Sequence, residues 1–294
     1  MQISANGISL EVEDHGSPAG EPLLLIMGLG MQLVAWHDDF VQSLVQRGFR
    51  VIRFDNRDIG LSKSYDPFGM PRLGWGSVKH LLGLKVSSAY SLVDMANDSA
   101  GVLDTLGIAQ AHVCGASMGG MIAQHLAARH PRRVKSLTLM MTSSGSRRLP
   151  GPTLKVRSAL ISRPADPKSV QSVIEHYVRL YRLIGSPGYP ATDAYLHERL
   201  GISVRRSYRP QGTARQMVAI AADGNRSKLL EQIKVPTQII HGKQDPLVPV
   251  AAGYDLAAKV PGAQIDVIDG MGHDLPTPLW PRFVAGIGSA AGRA

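Results

Sequence analysis

A serine flanked by glycines lies in the stretch HVCGASMGGMIAQHL, residues 112–126. An apolar run typical of a buried strand ends at Gly115, and a helix-like pattern begins just after Ser117. In a sharp strand-to-helix turn, side chains two positions either side of a nucleophile would collide with the chain, and Gly115 and Gly119 meet that need. The pattern predicts an exposed, reactive Ser117 hydroxyl, although the same sequence would also fit a small serine that only packs in a tight turn.

A serine hydroxyl needs a general base, and the base needs an acid that orients it. In parallel sheets, functional residues gather beyond the carboxyl ends of strands. Asp245 follows the apolar run TQIIHG by a short turn, and His273 lies in a glycine-rich loop before the last helix-like segment. His273 is also the only histidine after Asp245. We therefore predict a catalytic triad of Ser117, Asp245 and His273, in that chain order.

The oxyanion of a tetrahedral intermediate is stabilised by backbone N–H donors. The residue after the nucleophile, Met118, supplies one of them. The second belongs to the loop after the early apolar strand, in IMGLGMQ. We favour the N–H of Leu29, with those of Gly28 and Gly30 as alternatives.

Neighbouring polar residues have simpler interpretations. His241 ends a strand before the turn that carries Asp245, and we interpret it as structural. Asp269 and Asp274 are interpreted as loop-stabilising. Cys114, the single cysteine, lies inside the strand before Ser117 and is expected to be a buried core thiol. A single cysteine also excludes an internal disulfide framework.

The elements that position these residues follow from hydrophobic periodicity. MQISANGISLEVEDHG alternates around Asn6-Gly7, which predicts an antiparallel hairpin. Buried strands then alternate with amphipathic helices, which is typical of a parallel sheet covered on both faces. Residues 143–226 contain no strand-like pattern. Their helix-like sequence, interrupted by prolines, predicts a helical lid inserted into a core of residues 1–142 and 227–294. A second irregular stretch, SKSYDPFGMPRLGWGSVKHLLGLKVSSAY, is too long for a simple loop.

Charge and composition further restrict the possible functions and partners of the protein. The net charge is +9, and 14 of the 32 basic residues but only 5 of the 23 acidic ones lie between Gly145 and Arg226. The rest of the chain is therefore neutral, and this segment lacks a nucleic-acid motif. Its arginines either solvate a helical surface or attract an acidic substrate. With neither a signal peptide nor a membrane-length apolar run, we expect a cytoplasmic protein that binds neither nucleic acid nor membrane.

The motifs MGLGMQ, FDNRDIGLS, GASMGGMIAQ and GMGHDLP resemble those of α/β-hydrolases along nearly the whole chain. They are similar to bacterial esterases that include the aclacinomycin methylesterase group. The resemblance implies a mostly parallel, eight-stranded α/β sheet with helices on both faces and a helical lid. It also implies that Asp55, Arg57 and Gly60 shape a turn beside the active site. Where much of the family has His-Gly at the oxyanion loop, this chain has Met27-Gly28.

The reaction expected from these residues is hydrolysis of a small to medium carboxylic ester through an acyl-enzyme, with no metal or cofactor. Alternatives are carbon–carbon bond hydrolysis or cofactor-free perhydrolysis by the same triad, and a ligand sensor that retains it. An aspartate nucleophile, as in dehalogenases of this fold, is excluded by Ser117.

We expect Gly28, Gly30, Met70, Trp75, Tyr177 and Tyr181 to line the substrate pocket, although packing explains the four larger side chains equally well. Oligomeric state is not readable from the sequence.

Overall fold

The computed structural model describes residues 1–71 and 86–294 of the chain. Within these residues, eight strands form one sheet: β1 (Gln2–Ala5), β2 (Ile8–His15), β3 (Glu21–Ile26), β4 (Phe49–Phe54), β5 (Ala111–Ala116), β6 (Val134–Met140), β7 (Thr237–Gly242) and β8 (Gln264–Ile268). Their order across the sheet is β1-β2-β4-β3-β5-β6-β7-β8. The pairs β1–β2 and β2–β4 are antiparallel, and the remaining pairs are parallel. The mostly parallel sheet predicted from the sequence is confirmed.

The first hairpin turns at the predicted dipeptide. Asn6 and Gly7 have φ values of 50° and 75°. Both residues are thus in the left-handed region that a two-residue hairpin turn requires, and asparagine and glycine reach it at the least cost. The turn sets the register of β1 against β2, in which Ala5 pairs with Ile8.

Helices connect the strands. The α-helices of the described residues are α1 (Asp38–Val45), α2 (Leu92–Thr105), α3 (Met118–Arg129), α4 (Leu154–Ile161), α5 (Val170–Ile184), α6 (Asp193–Arg206), α7 (Pro210–Asp223), α8 (Ser227–Leu230), α9 (Ala251–Lys259) and α10 (Trp280–Ala291). None of the helices in the described ranges is both long and apolar enough to span a bilayer.

The sheet is covered on both faces, as its continuous apolar strands predict. Leu24 of β3 belongs to a buried cluster that includes Met95 of α2 and Ile122 of α3. Its neighbour Leu25 belongs to a second cluster with Phe283 of α10. Alternate side chains of a strand point to opposite faces, so the two clusters are the two layers of the core.

Helices α4 to α7 lie between β6 and β7 in the chain, within residues 143–226, which are called the inserted segment below. No strand of the described residues falls in this segment, as predicted. A third apolar cluster lies within it, between α5 and α6: Val173, Ile174, Val178, Leu196, Leu200 and Val204. The segment therefore has a small core of its own.

Candidate active site

Ser117 occupies a strained turn between β5 and α3. Its φ and ψ are 54° and −120°, a left-handed conformation that is unusual for a non-glycine residue. The turn is held by its backbone: the Ser117 N–H donates to the Met140 carbonyl at 2.9 Å, and the Ser117 carbonyl accepts from Thr142 Oγ1 at 2.7 Å. A β-carbon at Gly119 would overlap the Ile26 backbone, which explains why glycine is present two residues after the serine.

Three side chains from distant parts of the chain form a hydrogen-bonded row. His273 Nε2 lies 3.1 Å from Ser117 Oγ, and His273 Nδ1 lies 2.7 Å from Asp245 Oδ2. His273 and Asp245 are buried, with 8% and 5% of their surfaces exposed. A carboxylate can only accept, so Nδ1 carries the proton of this contact, and the tautomer with that proton has its Nε2 lone pair facing the serine hydroxyl.

The turn after β7 holds the carboxylate. The backbone N–H groups of Leu247 and Val248 donate to Asp245 Oδ1 at 2.9 and 2.8 Å, which leaves Oδ2 for the imidazole. His241 Nε2 donates to the Val248 carbonyl at 2.8 Å from the base of the same turn. Burial lowers the pKa of His241, whose Nδ1 has no hydrogen-bond partner within the described residues. His241 is thus a neutral buried side chain that supports the turn.

The loop after β3 passes directly in front of the serine. A β-carbon at Gly28 would lie 3.1 Å from Ser117 Cβ. The N–H of Gly30 donates to Gln216 Oε1 at 2.9 Å, so it is already occupied. The N–H groups of Leu29 and Met118 have no protein acceptor in the part of the chain that the structure describes. Of the two glycine alternatives for the second oxyanion donor, the Gly30 amide is therefore the weaker.

The DNRDIGLS stretch anchors this loop. Asp55 Oδ1 accepts from the Leu33 N–H at 2.7 Å, and Asn56 Nδ2 donates to the Met27 carbonyl at 2.9 Å. Burial raises the pKa of Asp55, and the opposing hydrogen bonds include one from Arg206 at 2.7 Å. The carboxylate thus connects the loop to α6.

A cavity of about 1470 Å³ opens above Ser117 between the sheet and α4–α7. Of the residues predicted to line the pocket, Gly28, Gly30, Met70, Tyr177 and Tyr181 line this cavity, and Trp75 lies outside the described residues. Leu29, Met118 and His273 line it as well.

The two tyrosines present their rings from one side of the cavity. Burial raises the pKa of Tyr177 to about 12, so its phenol stays protonated at neutral pH. The Tyr181 hydroxyl lies 3.3 Å from Met31 Sδ, and burial raises the pKa of Tyr181 as well. Both side chains are therefore neutral, and they add to the apolar character of the wall.

Cys114 and the two loop aspartates have distinct surroundings. Cys114 is fully buried in β5, and burial raises the pKa of its thiol. Asp269 is exposed and accepts from Gln244 Nε2 at 2.9 Å, whereas Asp274 is paired with the hydroxyl of Ser186. Burial raises the pKa of Asp274, and the hydrogen bonds from Ser186 oppose that rise.

Sequence reasoning did not single out Asn56, Ser186 or Gln216. Each makes its contact with a residue far away in the chain; Gln216 and Gly30, for example, are separated by 186 positions. A single amide or hydroxyl in a helix or loop has no local pattern that identifies such a partner.

A mostly parallel sheet with a serine at a strained strand-to-helix turn, and with an imidazole and a carboxylate beyond later strands, defines a fold class. Residues 21–276 match the family model described as the alpha/beta hydrolase fold. The chain belongs to this family, and the resemblance predicted from the motifs is confirmed.

Named relatives span nearly the whole chain. The chain is 28% identical to rhodomycin D methylesterase DauP of Streptomyces sp. (strain C5), in an alignment that covers 97% of this chain and 95% of the relative. It is also 28% identical to the 2-hydroxy-6-oxononadienedioate/2-hydroxy-6-oxononatrienedioate hydrolase of Pseudomonas sp, over 90% of this chain and 85% of the relative. Among solved structures, the enol-lactonase from Burkholderia xenovorans LB400 superposes with a TM-score of 0.77 at 24% identity, covering 99% of this chain and 100% of that one. This likeness supports the shared fold.

Proposed function

We propose that this chain is a serine carboxylesterase. The observation that carries the proposal is the row of Ser117, His273 and Asp245, with its contacts of 3.1 and 2.7 Å. His273 Nε2 accepts the proton of Ser117 as Oγ attacks the ester carbonyl carbon, and Asp245 stabilises the imidazolium that forms. His273 then protonates the leaving alkoxide, which departs and leaves an acyl-enzyme.

Water completes the cycle. His273 takes a proton from a water molecule, whose oxygen attacks the acyl carbon, and the proton returns to Ser117 as the acid leaves. In both halves, the amides of Met118 and Leu29 bind the oxyanion. Each such donor is typically worth about 3 kcal/mol of transition-state stabilisation. This mechanism uses side chains and main-chain donors and requires neither a metal nor an organic cofactor.

The proposed substrate is a bulky ester. Pockets that hold drug-sized ligands are roughly 300–1,000 Å³, and the cavity above Ser117 has about 1470 Å³. The similarity to a methylesterase favours the methyl ester of a large acid, with the acyl portion in the cavity and methanol as the leaving group. We further propose that residues 143–226 form a lid over this cavity, with Tyr177 and Tyr181 contacting the substrate.

Carbon–carbon bond hydrolysis is the second candidate, because a relative of equal identity is named for a dienedioate. Both reactions need the same nucleophile and oxyanion donors, so the site geometry favours neither. A ligand sensor that retains the triad would bind esters without turnover, and a perhydrolase would need hydrogen peroxide in place of water.

The deciding experiment is a substrate panel with Ser117→Ala as the blank. It contains p-nitrophenyl esters, methyl esters of bulky aromatic acids and a vinylogous 1,5-diketone. We expect turnover of the esters, and a loss of at least about 10³-fold in Ser117→Ala with an unchanged melting temperature. Equal rates in the two proteins would refute the nucleophile, and faster cleavage of the diketone would favour the second candidate.

A further inference from the structure

The loop that carries His273 is bound along its backbone to the end of helix α5. The His273 N–H donates to the Ile184 carbonyl at 2.7 Å, and the Gly188 N–H donates to the Gly270 carbonyl at 2.8 Å. Gly272 packs so closely on Gly185 that a β-carbon there would overlap the Gly185 backbone. The histidine loop therefore rests on the inserted segment rather than on the sheet alone.

A buried serine paired with a half-buried aspartate completes this contact. The Ser186 hydroxyl accepts from the Gly272 N–H at 2.9 Å and donates to Asp274 Oδ1. Ser186 is only 3% exposed. A buried polar group that loses its partner carries the full cost of desolvation, so removing either side chain favours a rearrangement of the loop.

The pair brackets the catalytic imidazole. The Ser186 hydroxyl binds both chain neighbours of His273. It accepts from the backbone N–H of Gly272, the residue before His273, and donates to the carboxylate of Asp274, the residue after it. In the described part of the chain, neither Ser186 nor Asp274 is hydrogen-bonded to the side chain of Ser117 or Asp245. The hydrogen bonds of the pair therefore act on the row of three side chains through the loop backbone, and the Asp274 carboxylate also interacts electrostatically with His273 and Asp245.

We propose that Ser186 and Asp274 are positioning residues that hold His273 between Ser117 and Asp245, and that they couple the imidazole to the C-terminal end of α5. The inference rests on the proposed hydrolase function. If the pair has this role, the inserted segment helps to position the catalytic histidine, and a displacement of the C-terminal end of α5 displaces the general base.

The first test measures kcat and KM for p-nitrophenyl acetate, which is too small to fill the cavity. A misplacement of about 1 Å can cost a hundredfold in rate, so Ser186→Ala and Asp274→Ala are expected to lower kcat by roughly ten- to a hundredfold, with KM within about twofold. Asp274→Asn keeps an acceptor oxygen for the Ser186 hydroxyl. We expect it to turn over about fivefold or more faster than Asp274→Ala, the value of one retained hydrogen bond.

Ser144→Ala is the matched control. Ser144 is fully buried, its hydroxyl donates to Asp255 Oδ2 at 2.5 Å, and within the described residues neither partner is hydrogen-bonded to the histidine loop. We expect this variant to melt at a lower temperature while keeping the wild-type kcat. An equal fall of kcat in Ser144→Ala and Ser186→Ala would overturn the proposal, because it would reduce the effect to general destabilisation.

A second readout is independent of turnover. The proton on His273 Nδ1, which is bonded to Asp245, is observable by NMR at low field. We expect its resonance to shift or broaden in Ser186→Ala and Asp274→Ala, and to stay unchanged in Ser144→Ala. If Ser186→Ala does not fold, the comparison of Asp274→Ala with Asp274→Asn decides the matter, because both variants lack the charge and only Asp274→Asn keeps the hydrogen bond from Ser186.

The two proposals fail in different ways. Wild-type kcat together with an unchanged resonance in Ser186→Ala and Asp274→Ala would refute the positioning role, whatever the enzyme hydrolyses. A wild-type protein no faster than Ser117→Ala would refute the hydrolase function. In that event the NMR comparison still determines whether the pair positions the imidazole.

Discussion

Asp245 Oδ2 lies 2.7 Å from His273 Nδ1, while Asp245 Oδ1 accepts the amides of Leu247 and Val248. The two oxygens of this carboxylate therefore have separate tasks: one is bound into the turn, and the other faces the imidazole. A conservative substitution of Asp245 can therefore keep the contacts with the turn while changing the contact with the imidazole.

Asp245→Asn is expected to fold normally, because the amide oxygen can still accept from Leu247 and Val248. Its NH₂ group, however, donates towards His273 Nδ1 and favours the wrong imidazole tautomer. We predict a fall in kcat of about 10⁴-fold, as found when a triad aspartate is replaced in this way. Steady-state kinetics and thermal melting measure the two effects, and a variant with a tenth of wild-type activity would contradict the role given to Asp245.

Gln216→Met is expected to slow the reaction by disturbing the loop in front of Ser117. Gln216 is fully buried, accepts from the Gly30 N–H and donates to the Arg57 carbonyl at 3.0 Å. Loss of these bonds leaves buried polar groups unpaired, at about 1–3 kcal/mol each. We predict a roughly tenfold lower kcat, since loss of a single oxyanion donor costs about 10²–10³-fold and a displaced one less.

The control for that variant is Gln124→Met. Gln124 is equally buried, but it bonds Arg226 and the Ser143 carbonyl instead of the loop after β3. It should lose stability without a comparable loss of kcat on a small ester. Equal rates in Gln216→Met and the wild type would show that Gln216 does not position the loop for catalysis.

His241 is expected to make the protein less stable in acid. Burial lowers the pKa of His241 in the folded state, so the unfolded chain binds a proton at a pH where the folded protein does not. The stability contributed by neutral His241 is therefore present above the ordinary imidazole value of about 6.5 and is lost as the pH falls below it. The slope for one such group is at most about 1.4 kcal/mol per pH unit.

His241→Gln tests this, since its amide can still donate to the Val248 carbonyl but does not titrate. Unfolding free energies from urea titrations between pH 7 and pH 5 should fall less steeply in the variant than in the wild type. Parallel curves would show that His241 does not account for the acid sensitivity. His241→Leu, which lacks a donor, should be destabilised at every pH.

Arg215 of α7 connects the inserted segment to the core through a buried ion pair that is expected to be costly to break. Its guanidinium donates to both oxygens of Asp58, at 2.6 and 2.8 Å, and both residues are almost fully buried. Removing one partner of such a pair leaves an uncompensated charge, so Arg215→Met should cost about 3–5 kcal/mol in unfolding free energy. The double variant with Asp58→Asn should recover part of this loss.

Arg182→Met provides the comparison for Arg215. Arg182 is paired with Asp193 on the surface, where solvent screens the interaction and the two side chains keep much of their freedom. Chemical denaturation should show little change in this variant. If both arginine variants lost stability equally, burial would not be what distinguishes the two pairs.

Local features of the chain were readable from the sequence. The Asn6-Gly7 hairpin, the alternation of apolar strands with helices and the glycine–serine–glycine turn each depend on backbone conformation or periodicity within a few residues. The motifs that indicate the family are also short and continuous in the sequence, so they predict the family without knowledge of the order of the strands in the sheet. For Ser117, Asp245 and His273, chain order predicted that they meet beyond the strand ends, and their catalytic roles stay predictions until the substrate panel is measured.

Only the tertiary structure decided which distant polar groups meet. Gln216 reaches the Gly30 amide, Arg215 reaches Asp58, and Ser186 reaches both neighbours of His273. The volume above Ser117 is likewise a property of how the inserted helices pack over the sheet. Such contacts have no sequence period, because a hydrogen bond between residues more than 80 positions apart depends on the path of the whole chain and not on the residues next to either partner in the sequence.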